Sequence, residues 1–317
     1  MSDPLARQPR IAVTSRSFSS HPLLRGELLQ AFSDATFNDA GPPLEGEQLV
    51  RFIGDADGAI VSLEKITAPV LAQLPKLRII AKYGVGLDNL DQDAMTRRGV
   101  ALGWTGGLNK RGVAEMTLAF MIGLCRQLFV SERMLRASAD WTKRGGVQLS
   151  GRTVGIIGVG FVGRDLIALL KPFGCRILVN DIVEQDDFYR ANALIAASKE
   201  QIYAEADLVT VHTPLDDTTR GMIDLDVFRR MKRTAYFINA ARGPIVVQDD
   251  LKRALKDGLI AGAAIDVFEA EPCSDAELLA LPNLFCTPHT GGSAEESVLA
   301  MGRSAIGHLM AFFKAAG

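Results

Sequence analysis

Three residues of this chain carry chemically versatile side chains and stand at comparable places, each just beyond an apolar run. Arg242 follows "YFINAA", Glu271 lies in "AIDVFEAEP", and His289 lies in "LFCTPHTGG". A guanidinium is permanently charged and presents five donors, so at the end of a buried strand it calls for an anion. A cation, a carboxylate and an imidazole together suit a reaction in which negative charge develops on an oxygen while a proton moves. Taken singly, each has a plainer reading. Arg242 fits a structural ion pair, Glu271 a solvated loop acid ahead of Pro272, and His289 a turn histidine. Spacing alone does not put Glu271 on His289.

The elements that must position these residues are short β-rich runs alternating with helix-length segments. "RIAVTS", "GAIVSL" and "LRIIAKYGVG" come first; "TVGIIGVG", "RILVND", "DLVTVHTP", "TAYFINAARG", "AGAAIDVF" and "LFCTPHTGG" come after residue 150. Their near-continuous apolar character predicts parallel strands covered on both faces, a doubly wound α/β architecture built twice. In such sheets ligands bind outside the carboxyl ends of the strands, so Arg242, Glu271 and His289 converge on one crevice. The expected division is residues 1–105 plus 290–317 for one domain and 106–289 for the other. A proline-free helical pattern over residues 109–139, apolar on most faces, predicts one long helix that bridges domains or buries itself at a subunit interface. Ser293 three residues before Glu296 has capping-box spacing and predicts a terminal helix that crosses back to the first domain.

"TVGIIGVGFVGRDLIALL" sets Gly158, Gly160 and Gly163 between a predicted strand and a predicted helix. A bare glycine triplet is weak; with both elements and a later acid it reads as a dinucleotide-binding turn. Gly158 permits the turn, Gly160 lets a pyrophosphate approach, and Gly163 lets the helix pack close. The helix start at Phe161 and Val162 supplies N–H groups and positive dipole. Asp181, ending the next strand, suits the ribose hydroxyls and repels the 2′-phosphate of NADP. NAD is the expected cofactor, with Arg176 and Arg190 leaving NADP tolerance open.

Composition bounds the rest. At 317 residues, 48% of them apolar and 23% charged, with a net charge of -2, the chain fits two globular domains and has no basic field for nucleic acid or an anionic membrane. Cys125, Cys175, Cys273 and Cys286 form no metal-ligand pattern and suit a reduced, cytoplasmic chain. No metal site is expected. "MSDPLARQPR" lacks the apolar core of a signal peptide, and "GVAEMTLAFMIGLCRQLF" carries Glu115 and is short of a membrane span.

"GVGFVG", "HTPLDDTTRGMI", "INAARG", "DVFEAEP" and "TPHTGG", with "AKYGVGLDNLD" and "NKRGVAEMTLA" upstream, resemble the D-isomer-specific 2-hydroxyacid dehydrogenases, which include phosphoglycerate dehydrogenase. The likeness covers most of the chain. It implies a Rossmann NAD-binding domain, a flavodoxin-like substrate domain and a hinge that closes over a small 2-hydroxy or 2-oxo acid. It also implies roles: Arg242 binds the carboxylate and polarises the carbonyl, His289 transfers the proton, and Glu271 holds His289. Thr213, Pro214, Ala240, Ala241, Arg242, His289 and Gly291 fall beside the cofactor, with Asp266 at the nicotinamide amide. Val85 and Gly86 fall on the substrate carboxylate, with Lys82 and Tyr83 adjoining. Lys82 stands where phosphoglycerate dehydrogenases commonly carry arginine, and Trp104 where many relatives have a small residue. Within the family, glyoxylate or hydroxypyruvate reduction, phosphoglycerate oxidation and a phosphite-type oxidation remain open. Outside it stands an NAD-sensing, corepressor-like binding protein. A homodimer is the expected assembly, and no regulatory domain is expected beyond residue 317.

Overall fold

In the computed structural model, residues 8–39 and 44–315 are described. The first seven positions of the N-terminal stretch discussed above lie outside them. The chain divides into two compact units, Met1–Asn109 with Ser293–Gly317, and Lys110–Gly292.

The first unit is built on β1 (Ile11–Val13), β2 (Ala35–Phe37), β3 (Gly58–Val61), β4 (Ile79–Lys82) and β5 (Ala101–Gly103), in the order β2-β1-β3-β4-β5. Every pairing is parallel. Residues of β1, β3 and β4 are buried throughout, which is why these runs lack the polar alternation of a sheet with one wet face. The terminal helix Glu295–Ala315 belongs to this unit and adds Met301, Ala305, Ile306 and Leu309 to its core. Its first bond runs from the Val298 N–H to the Ala294 carbonyl, one residue later than the Ser293 spacing predicts.

The second unit holds β6 (Thr153–Ile157), β7 (Arg176–Asn180), β8 (Ile195–Ala196), β9 (Leu208–Val211), β10 (Tyr236–Asn239), β11 (Gly262–Ile265) and β12 (Leu284–Cys286). The parallel order is β12-β11-β10-β9-β6-β7-β8. After β8 the chain returns to the far side of β6, so the order reverses between β6 and β9, where open α/β sheets take their ligands. Val154, Ile156, Val209, Val211, Phe237 and Ile238 are fully buried in this sheet. Each such side chain contributes about 1.5–3 kcal/mol relative to exposure.

The helix expected over residues 109–139 is two helices, Lys110–Cys125 and Leu128–Ser138, bent by 65°. Gln127 takes a left-handed φ of 52° at the break. A Cβ on Gly123 would lie 2.2 Å from the Phe129 ring, so the glycine admits that ring at the bend. The ring then stacks on Phe285 with centroids 3.5 Å apart. Apolar content alone could not reveal the break, because both halves are apolar and the cause is this tertiary contact. Among the described residues no single helix is long and apolar enough to cross a membrane; the bent pair passes that test only by length and composition.

Candidate active site

Arg242, Glu271 and His289 all lie beyond the carboxyl ends of neighbouring strands of the second unit. Arg242 follows β10. Asn239, the last residue of that strand, brackets the turn: its Oδ1 accepts the Ala241 N–H at 3.0 Å, and its Nδ2 donates to the Arg242 carbonyl at 2.8 Å. Arg242 Nη1 donates to the Ala241 carbonyl at 2.7 Å. At Gly243 any Cβ would fall 1.9 Å from the Phe268 carbonyl oxygen, so glycine alone lets this loop lie flush on the loop that carries Glu271.

Glu271 and His289 meet. His289 Nδ1 lies 2.7 Å from Glu271 Oε2, and Glu271 Oε1 accepts the Phe268 N–H at 3.1 Å. A carboxylate only accepts, so Nδ1 carries a hydrogen and the ring is turned to offer Nε2 as the other exchangeable nitrogen. Burial pushes the Glu271 carboxyl up. The bonds from His289 and Phe268, with the nearby charges of His289 and Arg242, outweigh that and hold it below the ordinary glutamate range. Both side chains are 32% exposed, so a small molecule can reach the pair.

His289 sits at φ 54°, a left-handed conformation uncommon outside glycine, and its loop is held there by Asp266. The His289 N–H donates to the Asp266 carbonyl at 2.8 Å. The buried Asp266 carboxylate accepts the Thr290 and Gly291 N–H groups, each at 2.8 Å, and the Thr287 hydroxyl. Gly291 is buried and its N–H is engaged with Asp266, so it serves the loop from within.

The glycine turn lies after β6. Gly158 has φ 98°, and a Cβ there would stand 2.7 Å from the His212 carbonyl, so the turn and the end of β9 abut. A Cβ on Gly163 would stand 2.2 Å from the Gly158 carbonyl oxygen, which sets the helix Phe161–Leu170 close on the turn. Asp181 Oδ2 accepts the Val159 N–H at 2.6 Å and its Oδ1 accepts the Val183 N–H at 2.9 Å. His212 bonds the Thr210 hydroxyl at 3.0 Å, and burial pushes its imidazole down to about 4, so it is neutral at physiological pH and no proton carrier.

Comparison with known proteins assigns the chain to a family. The family described as D-isomer specific 2-hydroxyacid dehydrogenase, NAD binding domain, matches residues 118–291. The chain is 35% identical over 314 residues to a glyoxylate reductase of Korarchaeum cryptofilum (strain OPF8), covering 96% of this chain and 93% of that one. This chain belongs to the D-isomer-specific 2-hydroxyacid dehydrogenase family. The dehydrogenase is also 35% identical over 256 residues to the D-3-phosphoglycerate dehydrogenase of Rattus norvegicus, covering 80% of this chain but only 48% of that protein. In three dimensions it matches the crystal structure of a D-isomer specific 2-hydroxyacid dehydrogenase from Polaromonas sp. JS6 66 with a TM-score of 0.88, at 28% identity and 98% coverage of both chains.

The residues of this dehydrogenase fit NAD, the cofactor of its family. A Cβ on Gly160 would meet nothing within 4 Å, so the protein's own packing does not require that glycine, and the open space fits an approaching phosphate. The helix that begins there has no side-chain cap, leaving its first N–H groups for an anion. At the end of β9 the buried Thr213 hydroxyl has no hydrogen-bond partner among the described residues, which fits a ligand there. Pro214, Phe161, Val162, Ala240 and Ala241 keep surface around these strand ends.

In the first unit, two residues expected at the substrate face inward. The Tyr83 side chain is buried and meets the Phe18 ring edge-on at 5.4 Å. Lys82 is only 4% exposed; its ammonium bonds the Ser62 carbonyl and, at 2.7 Å, Asn89 Oδ1. Val85 and Gly86 lie half-buried in the bend after β4, and no described hydrogen bond uses either N–H. Asn239 and Asp266 emerge as the residues that shape the loops. Asn239 stands in the quoted motif "INAARG", and an asparagine at a strand end, able to bond the backbone two residues on, is a readable turn signal.

Proposed function

We propose that this dehydrogenase reduces a small, non-phosphorylated 2-oxo acid of the glyoxylate or hydroxypyruvate class, with NADH preferred over NADPH. The observation that carries the reading is the 2.7 Å pair of Glu271 and His289 beside the Arg242 loop. Arg242 directs its donors at the substrate carboxylate and keto oxygen, lowering the cost of the charge that grows there. His289 delivers the proton from Nε2 to that oxygen, while Glu271, 2.7 Å from Nδ1, keeps the ring oriented. Bound reduced nicotinamide supplies the hydride. In the oxidation direction the neutral imidazole accepts the hydroxyl proton. The Val85 and Gly86 amides receive a carboxylate in the manner of a backbone nest.

The buried Lys82 ammonium favours a substrate without phosphate, since its donors already meet Ser62 and Asn89. Relatives named glyoxylate reductase also align over nearly their whole length, whereas the chain spans about half the phosphoglycerate dehydrogenase relative. Arg176 pairs with Glu205 and Arg190 with Asp187, which engages the two cations that would otherwise favour NADP. We further propose a cytoplasmic homodimer formed through the helix Leu128–Ser138. None of its residues is buried within the chain, and Leu128, Leu135 and the following Trp141 are exposed.

The test is oxidation of NADH by purified protein with glyoxylate, hydroxypyruvate, pyruvate, 2-oxoglutarate and 3-phosphohydroxypyruvate, repeated with NADPH and with His289→Ala. Turnover of a small acid that His289→Ala abolishes while NADH still binds is expected. Near-normal turnover in that variant defeats the mechanism, and NADH binding without turnover of any acid returns the chain to a sensing role.

A further inference from the structure

Trp104 directly follows β5, and the chain around it is held firmly. Its predecessor Gly103 lies so close to the terminal helix that a Cβ there would be 2.6 Å from His308 Cβ. Its successor Thr105 is clamped to the same helix: the Thr105 hydroxyl lies 2.9 Å from His308 Nε2 and accepts from the Ser304 hydroxyl at 3.0 Å. The backbone around Trp104 is therefore fixed on both sides. Its side chain, 37% exposed, reaches across to the turn after β4, where Nε1–H donates to the Val85 carbonyl at 3.0 Å.

That carbonyl is one end of the Val85–Gly86 peptide, whose other end is the Gly86 N–H. A planar peptide has one orientation, so fixing its oxygen fixes the direction in which its N–H points. A hydrogen bond to the oxygen also polarises the unit and strengthens the N–H as a donor. The turn needs such a brace. Gly84 sits at φ 138°, and no described hydrogen bond holds the N–H of Val85 or Gly86.

We propose that Trp104 is a positioning residue for the substrate carboxylate, acting through the Val85–Gly86 peptide. The inference rests on the proposed 2-oxo acid reduction. Trp104→Phe keeps an aromatic ring on the site and removes the donor. The expected result is a KM for the turned-over acid raised about 5- to 10-fold, the loss of one oriented hydrogen bond, with kcat changed less than about twofold. Inhibition by oxamate, which carries the same carboxylate, weakens by the same factor, while NADH affinity and melting temperature stay at wild-type values.

An unchanged KM and oxamate inhibition constant overturn the assignment. So does a parallel fall in kcat, NADH affinity and melting temperature, which marks a packing role only. Should the wild type reduce none of the acids, the reduction itself is lost. Calorimetric titration of oxamate into NADH-loaded wild type and Trp104→Phe still decides the assignment: weaker binding to the variant supports it, and equal binding or none to either overturns it.

Discussion

His289 Nδ1 and Glu271 Oε2 stand 2.7 Å apart although 18 residues separate them in the chain. The contact arises because β11 and β12 pair in parallel, Ile265 opposite Cys286, so the loops that leave them begin side by side. The Phe268 N–H then holds the second carboxylate oxygen, and the carboxylate faces the ring with little freedom.

Replacing Glu271 by Gln keeps the size but replaces a carboxylate that only accepts with an amide that also donates, so the hold on His289 Nδ1 weakens. The expected loss in kcat/KM for reduction is about 100-fold, within the range of a positioned acid. The pH dependence has a definite sign. Folding depresses the Glu271 carboxyl, so the pair contributes stability above the unfolded value of about 4.3, and that contribution is lost as pH falls through the lower folded value. Urea unfolding between about pH 6 and about pH 3 reads this as a steeper acid loss in wild type than in Glu271→Gln. Parallel stability curves for the two proteins defeat it.

Arg242→Lys retains a positive charge but loses the planar fork. Given a reaction that needs both carboxylate binding and carbonyl polarisation, KM rises and kcat falls together, with kcat/KM down by about 100-fold or more. A change confined to KM assigns Arg242 to binding alone. Steady-state kinetics with the preferred acid separate the two.

How much of this was readable beforehand depended on length and direction. The runs "TVGIIGVG" and "TAYFINAARG" are long and apolar because their strands are covered on both faces, and they announced β6 and β10. β2, β5 and β8 carry no such signal, being two- or three-residue edge strands without a buried run of their own. Arg242, Glu271 and His289 were legible as chemistry at strand ends. Their contact was not, since it requires the register of two strands. The resemblance sets Lys82 and Tyr83 beside the substrate; in the structure Tyr83 packs against Phe18 and the Lys82 ammonium bonds the Ser62 carbonyl, contacts that a strand-end position does not disclose. The break at Gln127 is set by Phe129 reaching Phe285, a contact more than 150 residues away in sequence.

Asp181 governs the choice of nicotinamide cofactor on this reading. Its carboxylate sits on the Val159 N–H at the glycine turn, where a 2′-phosphate would bring like charges together in a partly dry site. Asp181→Ser removes the repulsion, and the ratio of kcat/KM for NADPH over NADH rises about tenfold or more. With Arg176 and Arg190 engaged by Glu205 and Asp187, the gain stops short of a full switch. An unchanged ratio places the discrimination elsewhere.

Asp266 offers the sharpest contrast between a role in the loop and a role at the cofactor. Its carboxylate accepts two backbone N–H groups and a hydroxyl of the loop that carries His289, and the residue is buried. Asp266→Ala leaves those donors without an acceptor, and each buried donor so stranded costs about 1–3 kcal/mol. A loss near 3 kcal/mol lowers the melting temperature by roughly 10 °C in a unit of this size. The same change loosens Thr287, Thr290 and Gly291 around His289, whose own N–H keeps the Asp266 backbone carbonyl, so kcat falls further than NADH affinity. A variant that melts like wild type yet binds NADH about a hundredfold more weakly assigns the carboxylate to the nicotinamide amide instead, because only that contact draws on the cofactor without bracing the loop.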